Sequence, residues 1–244
     1  MLVHGTGIDH TYWDPAVPAL EERFTLYIPD RRGRGQSGDT APYSIRREIE
    51  DLVTMIESIP GNAFLLSHSY GALCSLEASL LTSQIRKIVL NEPPMYTTVE
   101  VDYPADTADR FLALLEAHEA EEALILLYEA GGTNEDLDLL RSLPNWQARV
   151  RAAPTLPREI TSVRSYTFDP ARFVGMTTPV LLLLGGATTP VYTAAIEALQ
   201  SSLPDNRLVV LEGQGHDAVI TSPDRYVREV IGFFLDDRST PAQA

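Results

Sequence analysis

A chain of 244 residues with 44% apolar and 22% charged residues is long enough to bury one sizeable core, with room for an insertion in it. A net charge of −15, with no basic cluster beyond Arg31-Arg32-Gly33-Arg34, argues against a nucleic-acid partner. No run approaches the roughly 18 apolar residues of a membrane span, and the lone cysteine, Cys74, rules out an internal disulfide. No secretory signal precedes the first motif, so the expected location is cytoplasmic.

Short apolar runs fall at 1–3, 24–28, 63–67, 85–90, 179–184 and 207–211. They are rich in Val, Ile, Leu and Phe and lack alternation, as strands covered on both faces do. Helix-period segments lie between them at 11–22, 44–58, 70–83, 190–202 and 223–236, with Ser44 placed as a cap and Pro223 in a first turn. This rhythm predicts a parallel sheet with helices on both faces. Nearly ninety residues separate the run ending at Leu90 from the one starting at Pro179. Their pattern predicts helices at 106–118, 119–130, 134–142, 145–153 and 157–165, since a structureless loop of that length is implausible. The expected division is a core of 1–91 and 179–238 with a helical cap of 92–178; residues 239–244 read as a frayed tail.

Four motifs stand out, three of them bearing on chemistry. In LLSHSYGA at 65–72 an apolar run enters Ser67-His68-Ser69-Tyr70-Gly71 and leaves as an apolar helix. LVHGTG lies at 2–7, DRRGRGQSGD at 30–39 and LEGQGHDA at 211–218. The first resembles the nucleophile elbow of the α/β-hydrolase superfamily, usually G-x-S-x-G, with Ser67 in place of the first glycine and Gly71 as the second. A tight strand–helix turn needs small residues at both positions. The second motif resembles the oxyanion loop of that family, and the third resembles a scaffold segment. The fourth resembles the loop after the final strand, which carries the catalytic base.

The resemblance covers residues 2 to about 236 and implies an α/β-hydrolase fold with a helical cap and a serine nucleophile. It implies Ser69 as nucleophile and His216 as general base. The backbone amides of Thr6 and Tyr70 would form the oxyanion hole, with His4 holding the loop. No metal-ligand spacing and no dinucleotide fingerprint occurs, so neither metal nor cofactor is expected.

Two features depart from the family pattern. The chain begins at the His-Gly strand, so the sheet is expected to hold about six strands without the two usual leading ones. Residues 24–28 would then form an exposed edge, so that either a partner covers it, a second copy included, or the chain is a shortened form of a longer protein. The stretch Gly185-Gly186-Ala187-Thr188-Thr189-Pro190, where the family commonly places the acid, holds no carboxylate. Some members carry the acid after the strand following the elbow, which here is Glu92. Asp217 neighbours His216 too closely in sequence, Asp169 reads as a helix cap and Asp30 belongs to the scaffold loop. The expected activity is hydrolysis of a small or medium apolar ester or related acyl compound. A lyase, cyclase or cofactor-free peroxidase, and a non-catalytic ligand binder, stay open on the same fold. Tyr96, Phe111, Leu115, Tyr128 and Trp146 are the cap's candidate substrate contacts, though residues of these types more often belong to a core.

Overall fold

The computed structural model describes residues 1–95, 104, 106–130 and 136–236. Tyr96 and the 239–244 tail lie outside the described residues. Five parallel strands run in chain order across the sheet: β1 (Leu2–Val3), β2 (Ala63–His68), β3 (Ile85–Asn91), β4 (Val180–Gly185) and β5 (Asn206–Leu211). The helices are α1 (Val17–Glu21), α2 (Ile45–Ser58), α3 (Ser69–Ala78), α4 (Thr107–Glu116), α5 (Ala120–Glu129), α6 (Leu137–Ser142), α7 (Trp146–Ala152), α8 (Leu156–Ser165), α9 (Pro190–Ser202), α10 (Ala218–Thr221) and α11 (Pro223–Leu235).

The continuous apolar strands do face two cores. Val3, Leu65, Ile88 and Leu182 point to the side packed by α2, α3 and α9. Leu2, Leu66, Val89 and Leu181 point to the side packed by Trp13, Leu20 and the apolar stripe Tyr226, Val230 and Phe234 of α11. The local signals act as read. Ser44 accepts from the amide of Arg47 at the start of α2, and Pro223 opens α11. Lys87, the one lysine of the sequence, is buried and donates to the carbonyls of Phe233 and Asp236, closing the end of α11.

Two expectations are corrected. Among the described residues the sheet has five strands rather than about six, because 24–28 forms no strand. That segment runs beside β1 and is joined to it by one backbone bond, Leu2 N–H to Tyr27 O (2.8 Å). Phe24, Leu26 and Ile28 are held instead by packing against the α11 side of the core. The helix predicted over 11–22 is split into a 3₁₀ turn (His10–Trp13) and the short α1. Pro15 and Pro18 lack the amides a continuous helix would use there.

Between β3 and β4 the chain forms α4 to α8 with their own apolar cluster of Phe111, Leu124, Leu140, Trp146 and Leu156. Phe111 and Trp146, expected at the substrate, are thus internal to this insertion, where the Trp146 indole donates to Glu121 (2.8 Å). Leu115 also packs on that cluster. No described helix is long and apolar enough to cross a membrane.

One contact fixes how closely β1 and α3 approach. A Cβ on Gly71 would stand 2.3 Å from the His4 carbonyl oxygen and 2.7 Å from that of Val3. Alanine in mid-helix ordinarily gains about 1 kcal/mol over glycine, but backbone atoms cannot retreat cheaply. Overpacking of about 1–3 kcal/mol should therefore win, and Gly71→Ala should lower the urea-unfolding free energy.

Candidate active site

The β2–α3 turn is sharp. His68 is still extended, and Ser69 sits at φ +52°, a conformation that L side chains rarely adopt. The strain lifts Ser69 above the ends of the strands, into the wall of a cavity of about 130 Å³. Ser67, at the elbow's first small position, is fully buried and donates from Oγ to Ser75 Oγ (2.7 Å). Against the turn lies the loop after β1. A Cβ on Gly5 would meet Ser69 Cβ at 2.8 Å, so this loop abuts the serine only because residue 5 is glycine.

That loop is pinned from beneath. His4 Nδ1 donates to Gly5 O (3.0 Å), and His4 Nε2 accepts from the Arg31 amide (3.0 Å). His4 thus holds the loop, and Thr6 lines the cavity beside Ser69. Tyr70 follows Ser69 in the first turn of α3, with its ring fully buried.

Glu92 follows β3 directly, and it too has a positive φ, +46°. It is fully buried, and His216 Nδ1 donates to Glu92 Oε2 at 2.5 Å. Glu92 Oε1 accepts from the Gly185 amide (2.7 Å) and Oε2 from Thr188 Oγ1 (3.0 Å). The carboxylate-free stretch after β4 therefore supplies donors that hold the carboxylate of the neighbouring strand. Gly185 also admits the His216 loop: a Cβ there would stand 2.5 Å from Gln214 O. The imidazole of His216 is stacked on Tyr192 (4.1 Å, 15°) and tilted against the ring of His68 (4.4 Å, 47°). Ser69, Thr6 and His216 share the cavity, and Glu92 stands behind His216.

The other carboxylates are employed elsewhere. Asp169 caps a 3₁₀ turn through the Ala171 amide (3.0 Å). Asp30 accepts from His10 Nδ1 (2.7 Å) and the Gln36 amide (2.9 Å). Asp217 pairs with Arg149 (3.3 Å), and its other oxygen lies 3.6 Å from His68 Nε2. Asp9, His10 and Asp30 form the one described group with atoms close enough for a metal ion; within it Asp9 Oδ1 accepts from Thr11 and Asp30 Oδ1 from His10.

Sequence reasoning missed the cavity's polar wall. Arg149, Asp217, Tyr128 and His68 line it, and Arg149 Nη1 donates to the Tyr128 hydroxyl (3.0 Å). Of these only Tyr128 was expected at the substrate. Arg149 lies on α7 with no local motif, so no signal in the chain marked it.

The chain belongs to the alpha/beta hydrolase family, whose model matches residues 1–229. It is accordingly a hydrolase in class. A solved structure of an alpha/beta hydrolase from Sphaerobacter thermophilus is 32% identical, covers 96% of this chain and 91% of its own, and superposes with a TM-score of 0.80. A protein of Enterobacter cloacae named, provisionally, carbamate hydrolase RutD is 25% identical over 93% of this chain and 87% of its own. A pimeloyl-(acyl-carrier protein) methyl ester esterase of Aeromonas hydrophila is 25% identical over 96% and 94%.

Burial pushes the basicity of His4 and His68 well below that of an ordinary histidine; Arg31 lowers His4 further, and His216 lowers His68. Both are neutral in the fold near pH 7. In the unfolded chain they titrate near 6.5. As the pH falls through that value the unfolded chain takes up protons that the folded chain refuses. Their contribution is therefore most favourable above it and declines below it. The urea midpoint should fall between about pH 7.5 and 5.5, and less steeply in His68→Asn.

Proposed function

We propose that the chain is a serine esterase acting on a small or medium apolar ester or related acyl compound. The observation that carries this reading is the buried Glu92–His216 hydrogen bond behind a cavity that Ser69 shares with His216. The bond on Nδ1 sets the imidazole tautomer with its lone pair on Nε2. His216 takes the Ser69 proton as Oγ attacks the acyl carbon, then returns it to the leaving alkoxide. Glu92 orients the ring and stabilises the imidazolium. The amides of Thr6 and Tyr70 receive the oxyanion. Water then attacks the acyl-enzyme by the same route.

The insertion, within 92–178, acts as the cap over this cavity. Leu124, Leu127, Leu156 and Ile160 give the cavity an apolar wall, which favours a short acyl or alkyl group. The ester and carbamate chemistry in its relatives' names suits the same machinery. The reading extends to a cytoplasmic protein that self-associates through the sheet edge beyond β1; sedimentation showing a monomer over a wide concentration range counts against the latter.

Ser69→Ala should lower turnover on the order of 10⁶-fold and abolish labelling by a fluorophosphonate, with the circular dichroism spectrum unchanged. Glu92→Gln should lower turnover by roughly 10⁴-fold while keeping the fold. Labelling that persists in Ser69→Ala overturns the nucleophile. A wild-type protein that neither labels nor turns over any of a panel of aryl esters and lactones would instead be a ligand-binding member of the family.

A further inference from the structure

Beneath the oxyanion loop lies a set of four buried charges that the chemistry above does not use. Arg31 and Arg34 come from the 30–39 segment, Glu48 from α2 and Glu159 from α8 of the insertion; none is more than 4% exposed. Arg31 Nη2 donates to Glu159 Oε1, Arg34 lies 2.7 Å from the same oxygen, and Arg31 Nη1 lies 3.6 Å from Glu48. Four such groups leave water at considerable cost, so their presence calls for a role beyond stability.

Arg31 Nη2 also donates to the carbonyl oxygen of Gly5 (3.1 Å). That carbonyl belongs to the same peptide group as the Thr6 N–H. In a planar trans peptide the C=O and N–H point in opposite directions. A guanidinium and an imidazole drawing Gly5 O downward therefore turn the Thr6 N–H away from them, toward the cavity that Thr6 lines. A donor on the carbonyl also polarises the peptide and strengthens its N–H as a donor. The same guanidinium sits 4.9 Å from the centre of the Tyr70 ring, so it touches the residues behind both halves of the oxyanion hole. Tyr70 is held further by a 2.8 Å hydrogen bond to Tyr43, whose hydroxyl donates to Glu48 (3.1 Å).

We infer that Arg31, clamped by Glu159 of the insertion, is a positioning residue that orients the Gly5–Thr6 peptide as an oxyanion donor and so couples seating of the cap to formation of the oxyanion hole. This rests on the serine-esterase reading. The fork of arginine is essential to it: one nitrogen reaches both Gly5 O and Glu159, while the other faces Glu48. A lysine keeps the charge but cannot span these partners in one geometry. Glu159 also holds Arg34, but it reaches the Gly5–Thr6 peptide only through Arg31, so the two positions should not be additive in kcat.

The test uses the full chain, p-nitrophenyl acetate for turnover and a fluorophosphonate for the rate of Ser69 modification. Arg31→Lys preserves the count of buried charges and should fold. Its kcat should fall on the order of 10- to 100-fold, with KM changed less than about threefold, because the oxyanion exists in the transition state and not in bound ester. The phosphonylation rate, whose five-coordinate transition state puts developing negative charge on the phosphoryl oxygen as fluoride leaves, should fall in parallel. Glu159→Gln should show the same split, and the double variant should be no slower than Arg31→Lys alone. A wild-type kcat in Arg31→Lys overturns the inference, as does a change confined to KM or a double variant showing the product of the two losses. If Glu159→Gln does not fold, Arg31→Lys alone decides. Ser69→Ala separates the two claims. Turnover surviving there overturns the serine reading and this inference with it. Turnover lost there but intact in Arg31→Lys overturns the positioning role alone.

Discussion

The close approach of two backbone segments sets the terms for everything else in this molecule. The loop after β1 and the turn into α3 meet at atomic contact. Gly71 lies against the carbonyls of Val3 and His4, and Gly5 against the Cβ of Ser69. Neither position tolerates a side chain. Because they meet, a strained serine and a loop peptide face one small space, and the two helical layers must be built to hold that contact closed. The positive φ of Ser69 is maintained by this packing, since an isolated turn of the same sequence would relax.

The second constraint is how a carboxylate reaches His216. Strands β3 and β4 are adjacent and in register, with Asn91 beside Leu183, so the residues just beyond their ends occupy neighbouring places. A carboxylate can move from one strand end to the next and still meet the same imidazole. The vacated strand end then keeps only backbone and hydroxyl duties, which Gly185 and Thr188 perform here. Charge in the site is thereby balanced by position within the sheet, with no change to the strand order.

Much of this was legible in the sequence because it rests on local rules. Strand runs without alternation marked a sheet covered on both faces, and four of the five strands are long enough to show it plainly. Ser44, Pro223 and the elbow glycine act through their own backbone geometry, so residue type alone announces them. Glu92 could be placed because it ends a strand next to the elbow strand. The chain was less readable where tertiary contact overrides local pattern. The segment 24–28 has strand composition, yet one backbone bond is all that joins it to β1. Arg149, Asp217, Arg31 and Glu159 matter through partners 26 to 128 positions away, and no window of sequence contains such pairs. Phe111 and Trp146 looked like substrate contacts by type, but the insertion needs its own core and takes them for it.

The burial of Lys87 has a practical consequence. It is the chain's one lysine, 4% exposed, with its ammonium spent on the carbonyls at the end of α11. Every other side-chain cation is an arginine or a histidine. Reagents that acylate lysine, bifunctional amine cross-linkers and enzymes that attach a tag to a lysine side chain therefore find no accessible one on the folded protein. Modification of Lys87 by any of them would report opening of the α11 end, making that single amine a built-in gauge of local unfolding.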